Sequence, residues 1–306
     1  MAISIVVAVT DRDWLTFLSS QSDLTEVNFW SPSPMQFRSL QEGELFLFKA
    51  KAPVNKIVGG GIFAHSTVMP CSYAWEAFGT NNGAGSLLEM RARIARLRST
   101  SPNPFEDFDI GCRILTQPFF FDEAQWFDPP PSWSQNIVRH KTYSSDTDEG
   151  YELWNAVQDK MRIQHSESVA QDAPAYGAPQ LVAPRLGQGA FRLKVTDIYA
   201  RKCAVTGEKT LPALEAAHIR PYSDGGRHDA SNGLLLRRDI HSLFDTGYVT
   251  VNPSLRLEVS RSIREQFSNG RHYYAMHGSR IYVPDQPDER PNLRSLEWHN
   301  ENVFKG

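Results

Sequence analysis

Along the first 160 residues the hydrophobic and polar positions alternate between two periods. Residues 4–9 (SIVVAV) form a short, almost unbroken apolar run, the pattern of a buried strand. Asp11 then precedes a segment with Trp14, Leu15 and Leu18 on one helical face, so a short helix capped by Asp11 is predicted. Residues 27–30 (VNFW) read as a strand that Ser31-Pro32-Ser33-Pro34 stops. Two further strands are predicted in ELFLFKAK and KIVGGGIFAHSTV. Gly59, Gly60 and Gly61 inside the second imply a bulge, a bend or a close backbone approach. No GK[ST] follows them, so they are not a phosphate loop.

Residues 72–78 (SYAWEAF) read as a helix. Ser86 caps another, with Leu87, Met90, Ile94 and Leu97 as its buried stripe. Arg91, Arg93, Arg96 and Arg98 fall outside that stripe, either as a solvated face or as phosphate contacts. CRILTQPFFF is a strand pair or one long bent strand, and residues 151–163 form a helix that closes this half. Residues 165–186, rich in Ala, Pro, Ser and Gly, carry no hydrophobic period and read as a linker. An amphipathic helix over 191–199 opens the second half.

Length agrees with this division, because 306 residues are long for a single core. The boundaries predicted are a first domain at 1–164, a linker at 165–186 and a second domain at 187–306. No apolar run approaches the length of a membrane span, and no signal peptide is recognised. Cys71, Cys112 and Cys203 make neither a disulfide framework nor a CxxC pair, so a cytoplasmic protein is expected. The formal charge of −3 is unevenly spread. Residues 1–184 hold 14 Lys and Arg against 21 Asp and Glu, whereas residues 186–306 hold 17 against 14. A mildly basic second half fits a nucleic-acid partner. The acidic first half could meet such a partner only through a shaped pocket.

The chemistry concentrates in residues 214–245. His218 ends a predicted strand over 212–219, residues 221–231 are loop, and Asn232-Gly233 opens a predicted helix with Leu235, Leu236, Ile240, Leu243 and Phe244 on its apolar face. Gly247 ends that helix and a hairpin follows. A strand His to activate water and a helix His, His241, to hold a divalent cation on a phosphate are the parts of a one-metal nuclease. Asn232 at the junction is suited to fixing the loop backbone.

This stretch resembles the HNH (ββα-metal) endonuclease family, in the branch carrying CAVTG, EAAHI, NGLLL and H-x-L-F-D, over residues 191–304. The resemblance implies catalytic roles for three residues. They are His218 as general base, Asn232 as structural residue and His241 as metal ligand. Many members have an acidic or His ligand before the base, where this chain has Ala217. Glu215 is then the second metal candidate, although strand alternation puts it on the face opposite His218. Asp239 and Asp245 are weaker candidates. Cys203 has Thr206 where some relatives have a second Cys, so no structural zinc is expected. The cofactor implied is one divalent ion, Mg²⁺ or Mn²⁺, with Ni²⁺ and Co²⁺ as further candidates. His228 and His277 read as ordinary loop and surface residues, and His299 has no assigned role.

The first half is similar to PUA-superfamily domains, nearest the EVE and YTH readers of modified bases, through NFWSPS, GELFLF, IVGGGIF and YAWEAFG. An α+β chain follows: a PUA/EVE-like β-barrel with helices, a linker, and a ββα-metal nuclease. Trp30 and Trp75 are candidate stacking walls for a flipped base, Asn28 and Ser31 polar contacts, and Tyr73 a further wall. The same tryptophans would serve equally as core aromatics. The combination implies a modification-dependent restriction endonuclease that reads 5-methyl- or 5-hydroxymethylcytosine in double-stranded DNA and works as a homodimer. Two other readings stay open. One is a modified-base binding module with a weak or inactive nuclease, and the other is an RNA-directed HNH nuclease.

Overall fold

A computed structural model describes residues 2–99, 106–134, 136–167, 179–182 and 184–306, with the side chains of 164–167 excluded. Most of the segment 165–186 therefore lies outside the described residues. The chain divides into two compact units, Met1–Gly187 and Gln188–Gly306. No helix among the described residues is long and apolar enough to cross a membrane.

The first unit runs β1 (Ser4–Thr10), α1 (Arg12–Ser19), β2 (Glu26–Asn28), β3 (Leu45–Ala50), β4 (Ile57–Pro70), α2 (Cys71–Phe78), α3 (Leu87–Arg98), β5 (Asp109–Phe120), β6 (His140–Ser144) and α4 (Asp148–Glu167). Its six strands form one sheet in the order β2-β5-β4-β3-β1-β6. The pair β1 and β3 is parallel and the other pairs are antiparallel. The sheet ends at β2 and β6, and among the described residues no pairing joins these edges. The architecture is thus mixed α+β with an open sheet, in place of the closed barrel expected. CRILTQPFFF belongs to one long strand, bulged against β4.

Strand alternation gives the sheet two buried faces. Ile5, Val7, Leu45 and Leu47 pack with Leu153, Trp154 and Val157 of α4. On the opposite face Phe46 and Phe48 meet Trp14, Phe29 and Phe37 in a chain of ring contacts with centroids 4.9–6.2 Å apart. The glycines of β4 are a close approach: a Cβ on Gly59 would stand 2.3 Å from the Phe119 carbonyl oxygen. Asp11 caps α1 as expected, accepting from the amides of Asp13 and Trp14. Leu97, placed in the buried stripe of α3 by its spacing, is exposed. The α3 arginines are engaged within the protein. Arg91 pairs with Asp107, Arg93 with Glu89 and Arg96 with Asp13, while Arg98 donates to the Pro32 and Asp109 carbonyls.

The second unit contains α5 (Gln188–Ile198), β7 (Leu214–His218), β8 (Gly233–Arg237), α6 (Arg238–Asp245), β9 (Val249–Val251), β10 (Leu257–Val259), α7 (Ser262–Phe267), α8 (Arg271–Tyr274) and α9 (Leu293–Asn302). β7 and β8 pair antiparallel, with His218 opposite Gly233 and Ala217 opposite Leu234, and α6 follows at once. The helix predicted from Asn232-Gly233 starts only at Arg238. Residues 233–237 are a strand because Leu234, Leu235 and Leu236 are all buried, and so short an apolar run does not reveal its period. The hairpin after Gly247 is β9–β10.

Candidate nuclease site

In the second unit His218, from β7, and His241, from α6, line one cavity of about 480 Å³ with Glu215, Asp245, Phe191, Tyr222 and His299. β7 does not alternate strictly. Leu214 and Ala217 are buried, whereas Glu215, Ala216 and His218 are partly exposed. Glu215 therefore shares the cavity with His218, and the opposite-face expectation is corrected. Ala217 is fully buried in the core and does not line the cavity.

His241 lies between two carboxylates. Its Nδ1 is 2.8 Å from Glu215 Oε2 and its Nε2 is 3.2 Å from Asp245 Oδ2. Burial works against a charged ring, but the hydrogen bonds to Asp245 and Glu215 outweigh it and hold His241 above the usual histidine range. Glu215 also pairs with Arg238 Nε at 3.2 Å. Asp245 stands one helical turn after His241, within side-chain reach. Asp239 is committed elsewhere, to Arg237 at 2.6 Å and to the Tyr273 hydroxyl at 3.2 Å.

His218 is held by packing. The Phe191 ring of α5 stacks on it at 3.9 Å and 10°. Gly233 permits this, since a Cβ there would come within 2.4 Å of Val195 and 3.0 Å of Phe191. Burial, then the neighbouring His228 and His241, push the His218 pKa down to about 4. Its Nε2 lies 2.9 Å from Nδ1 of His228, and His228 in turn stacks on Tyr222. By sequence His228 reads as an ordinary loop residue. The loop returns it to the site because Gly226 passes close to the Arg220 carbonyl, where a Cβ would sit 1.9 Å away. The adjacent glycines of PYSDGGRHDAS were the available signal.

Asn232, 5% exposed, holds that loop closed. Its Oδ1 accepts from the Arg220 amide at 3.0 Å, and its Nδ2 donates to the Arg220 and Arg227 carbonyls at 2.9 Å each. His299, from α9, is buried, stacks on Phe244 at 3.7 Å and bonds Thr250 Oγ1 and the Phe244 carbonyl. His277 accepts from the Val259 amide. Cys203 Sγ accepts from the amides of Thr206 and Arg237.

Residues 203–252 match the family model described as HNH endonuclease. The chain carries an HNH endonuclease domain. The matched segment includes β7, β8 and α6, with His218, Asn232 and His241 inside it. HNH endonucleases use a divalent metal ion. Among the described residues no group of three donors already stands in coordinating geometry. The donor chemistry is nevertheless suitable: an imidazole with two carboxylates converging on it, oxygen and nitrogen donors for a hard or borderline dication. No curated protein matches the chain. Two of the solved structures that resemble it do so weakly. A mutant of ZmASCH from Zymomonas mobilis has 10% identity and a TM-score of 0.32, over 50% of this chain and 95% of that one. The modification-dependent TagI restriction endonuclease has 14% identity and a TM-score of 0.29, over 98% and 81%. At these scores neither carries weight beside the HNH match and the geometry.

The residues named for a base pocket in the first unit are not brought together. Trp30 and Ser31 line a cavity of about 420 Å³. Trp30 is mostly buried and donates from Nε1 to the Asn82 carbonyl. Asn28 is fully buried and donates to Asn82 Oδ1. Tyr73 is a buried residue of α2, Trp75 is half-buried, and neither lines that cavity. The walls come instead from Trp14, Phe29, Phe37 and Phe46.

Proposed function

We propose that the chain is a modification-dependent DNA endonuclease of the restriction type. The first unit reads a modified cytosine, 5-methyl or 5-hydroxymethyl, lifted out of the duplex, and the HNH domain cuts nearby. The observation that carries the nuclease half is the convergence of His218, His241, Glu215 and Asp245 on one cavity of the ββα element. For the reader half, support comes from the aromatic cavity beside Trp30, and the NFWSPS, GELFLF and IVGGGIF segments add a resemblance in sequence alone to EVE and YTH readers.

His218, neutral at pH 7 and clamped by Phe191, removes a proton from water. The water oxygen attacks phosphorus and the 3′ oxygen leaves. Asn232 holds the loop that supports His218. His241 would hold the cation together with Glu215 or Asp245, through an imidazole nitrogen free of its proton. A bound Mg²⁺ or Mn²⁺ supplies charge stabilisation for the leaving oxygen. A single site cuts one strand, so a homodimer on DNA is proposed for double-strand cleavage. Action in the cytoplasm is part of the same proposal.

Two observations favour a second reading, a modified-base reader with an inactive nuclease. Ala217 offers no ligand, and both nitrogens of His241 are already hydrogen-bonded to carboxylates. Incubation with matched DNAs carrying cytosine or 5-hydroxymethylcytosine, and with the matching RNA, under Mg²⁺ or Mn²⁺ separates these readings. Cutting confined to the modified DNA is expected. Binding of modified DNA without cutting under either metal would favour the reader, and equal cutting of RNA would displace DNA as the substrate.

A further inference from the structure

The cavity beside Trp30 contains a half-buried guanidinium, Arg113, with no carboxylate partner among the described residues. Arg113 points from β5 into the aromatic wall, its guanidinium carbon 5.0 Å from the Phe37 ring centre and 5.9 Å from that of Phe29. Its Nε is buried without a hydrogen-bond partner. Among the described residues no carboxylate pairs with it. Burial, with Arg139 nearby, pushes its pKa down to about 10. The remaining charged residues of the lining are Arg38, Lys51, Arg139 and one acid, Asp11. Asp11 is occupied with Lys51 at 3.3 Å and with capping α1. His140, another lining residue, is held below the usual histidine range by burial and by Arg113 and Arg139. A guanidinium withdrawn from water on one side gains from a counter-charge. Among the described residues none is supplied, and a lining with four cationic side chains against one acid suits an anionic ligand.

We propose that this cavity binds a nucleotide through an oxyanion seated on Arg113, with the base against the surrounding aromatic rings. The inference rests on the base-reading role proposed for the first unit and narrows its ligand. Two sources offer the same chemistry: an acidic substituent on the base, as in 5-carboxylcytosine, and the backbone phosphate of the flipped nucleotide. Arg113 is more deeply buried than Arg139, which favours the base substituent at Arg113.

The test is binding of the full chain, without divalent metal, to matched duplexes with one central cytosine, 5-methylcytosine, 5-hydroxymethylcytosine or 5-carboxylcytosine. A further 5-methylcytosine duplex carries uncharged methylphosphonates on either side of that nucleotide. The 5-carboxyl duplex is expected to bind about tenfold tighter than the 5-methyl duplex. Arg113→Gln should remove that margin and Arg113→Lys should keep most of it. No carboxyl margin, but an about tenfold methylphosphonate penalty that Arg113→Gln abolishes, also supports the oxyanion site and assigns it to the phosphate. Neither effect in the unmutated protein overturns the inference, whatever the variants do. If a preference for 5-methyl- or 5-hydroxymethylcytosine over cytosine then remains and Trp30→Ala removes it, base reading stands without the oxyanion. Equal binding of every duplex, unaffected by Trp30→Ala, removes both.

Discussion

The two cavities are built in opposite ways. In the HNH domain the polar groups satisfy one another: His241 with Glu215 and Asp245, His218 with His228, and Asn232 with the loop backbone. In the first unit, aromatic rings form the walls around a guanidinium that no carboxylate completes among the described residues. A site for chemistry gains from groups fixed in advance. A recognition site gains from a group left wanting, because the correct ligand then satisfies it and the wrong one does not. On this comparison chemistry and specificity are separable, and substitutions in one cavity should leave the other's property intact.

The largest effect is expected from His241→Ala. It should lower cleavage by roughly a thousandfold under any divalent metal, with modified-DNA binding within about twofold of the parent. Parallel loss of binding would break the separation. Asn232→Ala removes three hydrogen bonds and leaves part-buried backbone groups of residues 220 and 227 without their partner. A destabilisation of about 1–3 kcal/mol is expected in denaturant unfolding, with the reading preference unchanged. Trp30→Ala should reduce the preference for modified DNA by about tenfold, whereas Trp75→Ala, away from the cavity, should change it less than about twofold. Equal effects of the two would place the pocket elsewhere.

The smallest effect concerns pH. Burial holds His299 at a pKa of about 4, below its unfolded value near 6.5. The unfolded chain thus binds the extra proton first on acidification, so stability is full above about pH 6.5 and falls as pH drops toward 4. The melting temperature of the HNH domain should decrease over that window, and His299→Asn should flatten the decrease. An unchanged slope in that variant would leave His299 out of the account.

The contrast also explains what could be read from the sequence. His218, Asn232 and His241 lie within a 24-residue stretch, so their spacing together with the CAVTG, EAAHI and NGLLL segments suggested a site. Even there, the boundary between β8 and α6 was missed, because a buried Leu-Leu-Leu run carries no period. His228 was missed because a loop has none either. The first-unit cavity draws on residues from Ala8 to His140, from strands far apart in the chain. Trp30 and Ser31 were legible through the NFWSPS segment. Arg113 was not, since an Arg inside an apolar strand pattern reads as a solvated edge until the sheet order is known. Asn28 and Tyr73 were drawn toward the site by residue type alone, and burial places them in the core.

The most direct test of the separation is His218→Ala in the full chain. Its cleavage of 5-hydroxymethylcytosine DNA would be measured beside its binding of the modified and unmodified duplexes. The account predicts cleavage lost by about a hundredfold or more, with the preference for modified DNA unchanged. A variant that loses the preference together with cleavage would contradict it, since recognition would then depend on the nuclease cavity itself.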